Sequence, residues 1–193
     1  MATADRILDI AERLVQRRGF NAFSYADVAT AVGIRKASLH YHFATKADLG
    51  QALIARYRQT FLQALEGIEG ETDDARERLR RYAELYRAVL RKKRMCMCGM
   101  LATDAATLPK AMRDSVAAFF EENVAWLGAV LERGRTRGEL AFEGTPASMA
   151  AFFVSALEGA MLVAHGSGHL EGFDATAARL LAAVTRSAGR GRR

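Results

Sequence analysis

FNAFSYADVATAVGIRKASLHYHFATKADL, residues Phe20 to Leu49, decides how the rest of the chain reads. Ser24 precedes an apolar-periodic run of Tyr25, Val28, Ala29 and Val32, and Asp27 stands three residues after it. A serine there accepts from an otherwise orphaned backbone N–H, and a carboxylate in the first turn meets the positive helix end. The spacing predicts a helix starting at about Tyr25. Gly33 follows the last periodic residue, where a left-handed C-terminal residue is cheap only without a Cβ. Helix, glycine turn and second helix within about twenty residues make a helix-turn-helix.

In that second helix, Leu39 and Phe43 share one face, with Arg35 and His42 at its flanks. Ala37, His40, Tyr41 and Ala44 point the other way. The apolar pair anchors the helix and leaves the other face free. Small residues, the Ser38 hydroxyl, two ring donors and the cations Arg35, Lys36 and Lys46 suit close approach to a DNA major groove.

Ile34 to Leu49, IRKASLHYHFATKADL, resembles the recognition-helix signature of the TetR family of transcriptional repressors, and the match extends upstream through Ile7, Ala11, Leu14, Gly19, Phe20, Val28, Ala29 and Gly33. The resemblance implies that Ala37, Ser38 and His40 lie at base edges. It implies that Lys36, Tyr41, His42 and Lys46 hold phosphates, with Ser24 and Tyr25 touching the DNA backbone from the preceding helix. His40 stands where the family usually has Tyr, and Ala37 where it often has Gly, so the base preferences of relatives do not transfer.

The 193 residues are 50% hydrophobic with 2 Pro, and few segments alternate like strands, which points to an all-α protein with a sizeable core. The net charge of +6 fits a nucleic-acid partner, and the first sixty residues carry nine Arg or Lys against five acids. Asp5 and Arg6 come before any apolar run. Neither a signal peptide nor a membrane span is therefore expected, and the cytoplasm is the expected location.

Asp5 to Arg18 reads as a supporting helix closed by Gly19. Lys46 to Leu65 reads as a long amphipathic helix ending in the acidic segment Glu66 to Asp74. It begins beside the DNA reader and runs on as a lever. The expected division is a helix-turn-helix DNA-binding domain, 1–46, and a helical effector-binding and dimerisation domain, 47–193. Ala75 to Lys93 is a second long helix whose arginines read as a solvated face with Glu77 and Glu84 as partners. The basic tail Arg186 to Arg193 adds weak non-specific attraction for DNA.

Met95 to Pro109, MCMCGMLATDAATLP, holds both cysteines. A disulfide is disfavoured in a cytosolic protein, and on a helix Cys96 and Cys98 project about 200° apart, so one soft metal ion is not reached by both sulfurs. Two readings stand. Cys96 is a redox or electrophile sensor helped by Arg91, Lys92, Lys93 and Arg94, or Cys and Met here are fillers that mould a flexible core. Cys96, Gly99, Leu101, Ala102, Asp104, Leu108 and Pro109 are similar to a segment of one TetR subgroup. That likeness implies a response to electrophiles in some members and to small organic ligands in others.

Lys110 to Arg137 reads as a helix closing at Gly138, and Pro146 to His165 as a helix apolar nearly all round, which must be covered on all sides. A glycine-rich loop, His165 to Gly172, precedes a last helix, Ala175 to Ser187. The two final helices resemble the family's dimerisation pair, and a two-fold dimer presents two heads about 34–36 Å apart, or somewhat more, to a palindromic site. Candidates for the effector pocket are Phe61, Tyr82, Tyr86, Cys96, Met97, Met100, Phe119, Phe120, Trp126, Phe152 and Met161.

His165 and His169 are separated by glycines, His40 and His42 diverge, and no phosphate loop or nucleophilic triad stands out. No cofactor and no metal are expected, and the chain does not read as an enzyme. The reading is a homodimeric repressor of a palindromic double-stranded DNA operator. A small apolar ligand, electrophile or oxidant sensed in the C-terminal part releases it. The alternatives are a non-specific DNA-organising protein without an effector and a cytosolic thiol- or metal-handling enzyme.

Overall fold

Ser24 caps the helix that follows it. Its Oγ accepts the Asp27 N–H at 3.3 Å while its own N–H reaches Asp27 Oδ2 at 2.6 Å. In the computed structural model, which describes residues 2–185, that helix is α2, Tyr25–Val32, preceded by α1, Thr3–Arg18, and followed by α3, Lys36–His42, and α4, Lys46–Glu71. The chain continues through α5, Ala75–Arg91, α6, Met97–Thr103, α7, Lys110–Thr136, α8, Pro146–Ser167, and α9, Glu171–Thr185. Every regular element among the described residues is helical, so the fold is all-α. The basic tail from Arg186 onward lies outside the described residues.

The helices fall into two compact units. One gathers the described residues up to Phe61 together with Arg94–Phe119, and the other gathers Leu62–Lys93 with the described residues from Phe120 on. Both are discontinuous in sequence, and Lys46 falls inside the first. In that unit α1 buries Ile7, Ala11 and Val15 against α2 and α6, and Gly33, at φ 77° and ψ 37°, makes the left-handed turn into α3. Arg6 Nη2 donates to the Val32 carbonyl at 2.7 Å and holds the end of α2 to α1.

In the second unit α8 and α9 pack on each other and on α5. Phe153, Leu157 and Met161 of α8, Phe173 and Leu180 of α9, and Leu79 and Tyr82 of α5 are buried. Thr145 caps α8 and Pro146 opens its first turn, where a missing N–H costs nothing. By length and composition α8 is apolar enough to cross a membrane, with a mean hydropathy of 1.7, and here it is a packed helix with one open face.

Several boundaries differ from the sequence reading: α1 starts at Thr3 and not Asp5, α5 ends at Arg91 and not Lys93, α7 ends one residue early, and three further ends have tertiary causes. The lever helix α4 does not stop at Leu65 but runs through Gly67 and Gly70 to Glu71. Its end has partners brought by two other helices: Arg78 of α5, 6% exposed, donates to the carbonyls of Glu69 and of Thr72 just beyond the helix, and Arg133 of α7 pairs with the Glu69 carboxylate. Ile68 is also buried on this added stretch. Helix α8 continues past His165 to Ser167, and α9 begins at Glu171, four residues before Ala175. Glu171 and Asp174 sit in the first turn of α9, where acids are favoured, and Arg87 grips Asp174 with two hydrogen bonds of 2.6 and 2.9 Å. Arg78 also departs from the solvated face expected of the α5 arginines.

Candidate nucleic-acid interface

The second helix of the pair, α3, has only seven residues and no side-chain cap, so its own propensity does not hold it. Leu39 does, with no exposed surface, contributing about 2 kcal/mol by burial. Around that anchor Lys36, Ala37, Ser38, His40, Tyr41 and His42 are all exposed, Tyr41 to 87%. The structure therefore gathers six of the nine predicted DNA contacts on one open helix. His40 Nδ1 lies 3.0 Å from the Ala44 carbonyl, which requires the proton on Nδ1, so that in the neutral ring Nε2 is the acceptor.

Tyr25, Lys46 and Ser24 are engaged inside the unit. Tyr25 is buried, and its hydroxyl proton is shared between the carbonyls of Phe43, at 2.9 Å, and Thr45, at 2.5 Å. Burial and the nearby Asp48 carboxylate push the phenol up to about 12, so it stays a neutral donor. Its ring lies 4.7 Å from that of His40. Lys46 donates to the carbonyls of Phe20, at 2.6 Å, and Phe23, at 2.5 Å. It lies over both rings at 4.6 and 4.4 Å, and desolvation lowers its pKa. Lys46 is thus a staple across the turn between α1 and α2, where the sequence reading makes it a phosphate contact. Ser24 is exposed, and its hydroxyl proton is given to Asp27 Oδ2 at 2.8 Å.

A residue to which the sequence reading gave no part in the DNA reader completes this staple. Asp104, just past α6, accepts the backbone N–H groups of Phe20, at 2.8 Å, and Asn21, at 3.4 Å. A Cβ on Gly19, whose φ is 86°, would sit 3.3 Å from the same carboxylate oxygen. Phe20 is thereby held from both sides, its N–H by Asp104 and its C=O by Lys46. The signal for Asp104 was its place as the lone acid of an apolar segment.

The effector candidates divide between the units. In the first, Phe61 and Phe119 meet edge to face at 5.2 Å, and Cys96, 2% exposed, forms the N-cap of α6 with Sγ accepting the Gly99 N–H at 3.4 Å. Met97 is buried and Met100 half-buried on the same short helix. In the second, the Tyr82 hydroxyl donates to Asn123 Oδ1 at 2.9 Å and lies 3.1 Å from that of Tyr86, while the Tyr82 ring stacks on Trp126 at 5.7 Å. Met161 is buried and Phe120 half-buried. Phe152 is 54% exposed on the open face of α8, which places it outside any interior pocket. That unit also has an open hollow of about 800 Å³ lined by Arg135, Leu140, Phe142, Met149, Arg179 and Ala182, none of them an effector candidate. No group of three metal-ligating side chains forms among the described residues.

Residues 7–53 match the model of the bacterial regulatory proteins of the tetR family, and residues 75–184 match that of the tetracyclin repressor-like C-terminal domain. A crystal structure of a TetR-family transcriptional regulator from Agrobacterium tumefaciens superposes with a TM-score of 0.92 at 37% identity, covering 95% of this chain and 98% of that one. The transcriptional regulator AcuR of Cereibacter sphaeroides is 28% identical over 75% of this chain and 68% of its own length. The nucleoid occlusion factor SlmA of Marinobacter nauticus is 27% identical over 80% of each. Proteins of the matched family are transcriptional regulators and not enzymes. With an open recognition helix on a stapled helix-turn-helix and both halves matched, the chain belongs to the TetR family of transcriptional regulators.

Proposed function

We propose that the protein is a homodimeric repressor of a palindromic operator, released when its C-terminal part senses an inducer, and that it works in the cytoplasm. The open face of α3 around buried Leu39 carries this reading. Ala37, Ser38 and His40 approach base edges, where the His40 Nε2 lone pair suits an exocyclic amine of adenine or cytosine. Lys36, Tyr41 and His42 hold phosphates, and Tyr25, Lys46 and Ser24 keep the reader in shape from within. The functional division stays at Lys46, with α4 as the lever from 1–46 into 47–193.

The open face of α8, with Phe152, Leu162 and Val163 exposed and Ser155 and Gly159 between them, supports pairing with a second copy through α8 and α9. The inducer is a small apolar molecule or a thiol-reactive compound, met by the aromatic and sulfur-bearing candidates above other than Phe152. Its effect on operator affinity is reciprocal, since binding at either site shifts the other by one factor. The burial of Cys96 supports packing at rest, so a thiol reagent acts after its cap opens.

The test is a DNA-binding titration against the promoter region beside the protein's own coding sequence, for wild type, Lys36→Ala and Tyr41→Phe. Saturable binding at one palindrome, weakened in both variants, is the expected result. The likeness to SlmA supports a second reading, a DNA-organising protein without an effector. Affinity that is equal on unrelated sequences and falls steeply with salt would favour it over the operator reading. Adding a mild oxidant to wild type and Cys96→Ser separates the inducer classes: reversible release of wild type alone assigns the thiol, and no response from either turns the search to apolar ligands.

A further inference from the structure

Arg13, Gln16 and Arg17 fall within an arc of about 100° on α1. The backbone N–H of Met95 donates to the Gln16 carbonyl at 3.0 Å, which brings the preceding Arg94 onto the same part of the helix. Two polar atoms at this junction are sealed from solvent with no hydrogen-bond partner among the described residues, Gln16 Oε1 and Arg94 Nε. Gln16 is only 3% exposed. A buried donor or acceptor left unpaired costs about 1–3 kcal/mol, and here one of each is unpaired.

The charges point the same way. Desolvation, then Arg17 and Arg13, lower the pKa of Arg94, opposed by Glu12. Glu12 already gives Oε2 to Arg56 at 2.8 Å. Among the described residues no acid forms an ion pair with Arg13, Arg17 or Arg94. Three guanidinium groups thus stand together with a shared shortage of negative charge.

We propose that Arg13, Gln16, Arg17 and Arg94 form a site for a protonated oxyanion of the hydrogen phosphate class. Guanidinium forks match the geometry of phosphate oxygens. Because Arg94 Nε and Gln16 Oε1 are sealed from solvent, binding requires the exposed Arg17 and the half-buried Arg13 and Arg94 side chains to part, after which one such oxygen accepts from Arg94 Nε. The remaining P–OH donates to Gln16 Oε1. Sulfate has the same shape without the proton, so it meets Gln16 Oε1 with a lone pair and leaves that acceptor unpaired. Occupancy ties α1 to the strand of chain that leads into the Cys96 cap. The site is independent of operator binding and stands or falls without it.

Isothermal titration of the full chain at pH 6.5 and constant ionic strength tests this with inorganic phosphate, glycerol 3-phosphate and sulfate. One anion per chain, with phosphate or its monoester roughly tenfold tighter than sulfate, is expected. Tighter binding of glycerol 3-phosphate assigns the site to a phosphate monoester, and tighter binding of inorganic phosphate to the free ion. Arg94→Gln and Arg17→Ser should each weaken phosphate roughly tenfold without lowering the unfolding temperature in phosphate-free buffer, because each removes a repelled cation. Gln16→Leu should keep an anion and lose the preference over sulfate. Equal binding of sulfate and phosphate to wild type, or unchanged phosphate binding in Arg94→Gln and Arg17→Ser, overturns the proposal.

Discussion

Tyr25 and Asp104 act on the recognition helix from underneath, and each has a separable signature. Tyr25→Phe keeps the ring against His40 and removes the proton shared by two carbonyls, so it should cost about 1 kcal/mol in urea unfolding and weaken operator binding. Its pH dependence has a definite sign. A phenol pushed up to about 12 in the folded chain, from 10.0, contributes stability that is complete below pH 10 and is lost as pH rises towards 12. Lys46, whose pKa is lowered, acts with the opposite sign, so the comparison of wild type with Tyr25→Phe isolates the phenol. The variant should lose less stability over that interval, and an identical alkaline limb would sink the assignment. Asp104→Ala removes the acceptor for the Phe20 N–H, and hydrogen exchange at that amide should accelerate well beyond the change at Ile7. The exposed set on α3 was legible in the sequence because periodicity reports which residues point away from Leu39. The inward turn of Lys46 was not, since its carbonyl partners lie 26 and 23 residues away, and Asp104 reaches Phe20 across 84.

Helix ends show the same division between near and far causes. Ser24, Gly33 and Pro146 mark their boundaries with chemistry confined to one turn, and the structure places helix termini there. The end of α4 depends on Arg78 and Arg133, and the start of α9 is fixed by Arg87, so glycines at 67, 70 and 166 misled a local reading, whereas Gly168, left-handed at φ 77°, does close α8. A different glycine is needed for close packing. A Cβ on Gly134 in α7 would come within 2.6 Å of the Ala75 Cβ and 2.5 Å of Leu140 Cδ1. Gly134→Ala should therefore destabilise the chain by about 1–3 kcal/mol in spite of alanine's better helix propensity. Gly128→Ala on the same helix meets nothing within 4 Å and serves as the control, expected to be neutral or stabilising by chemical denaturation.

For the whole molecule, the proposed pairing through the open face of α8 would make activity depend on concentration. Val163 is 68% exposed, and Val163→Glu should give a monomer by sedimentation whose operator affinity falls at least tenfold, because one head then binds alone. A dimer unchanged by this substitution would place the two-fold elsewhere. The open face of α8 was legible as part of an apolar helix needing cover, whereas the joining of Arg94–Phe119 to the compact unit that carries the DNA reader has no local signal in the sequence. That partition also orders events during synthesis. A chain elongating at roughly 5–20 residues per second exposes its recognition helix several seconds before Asp104 and the start of α7 leave the ribosome. Until then the Phe20 amide lacks its acceptor and Gly50 lacks the Met112 side chain that fills the space beside it. The stapled form of the loop between α1 and α2 is thus completed only late in translation, long after the recognition helix itself has been made.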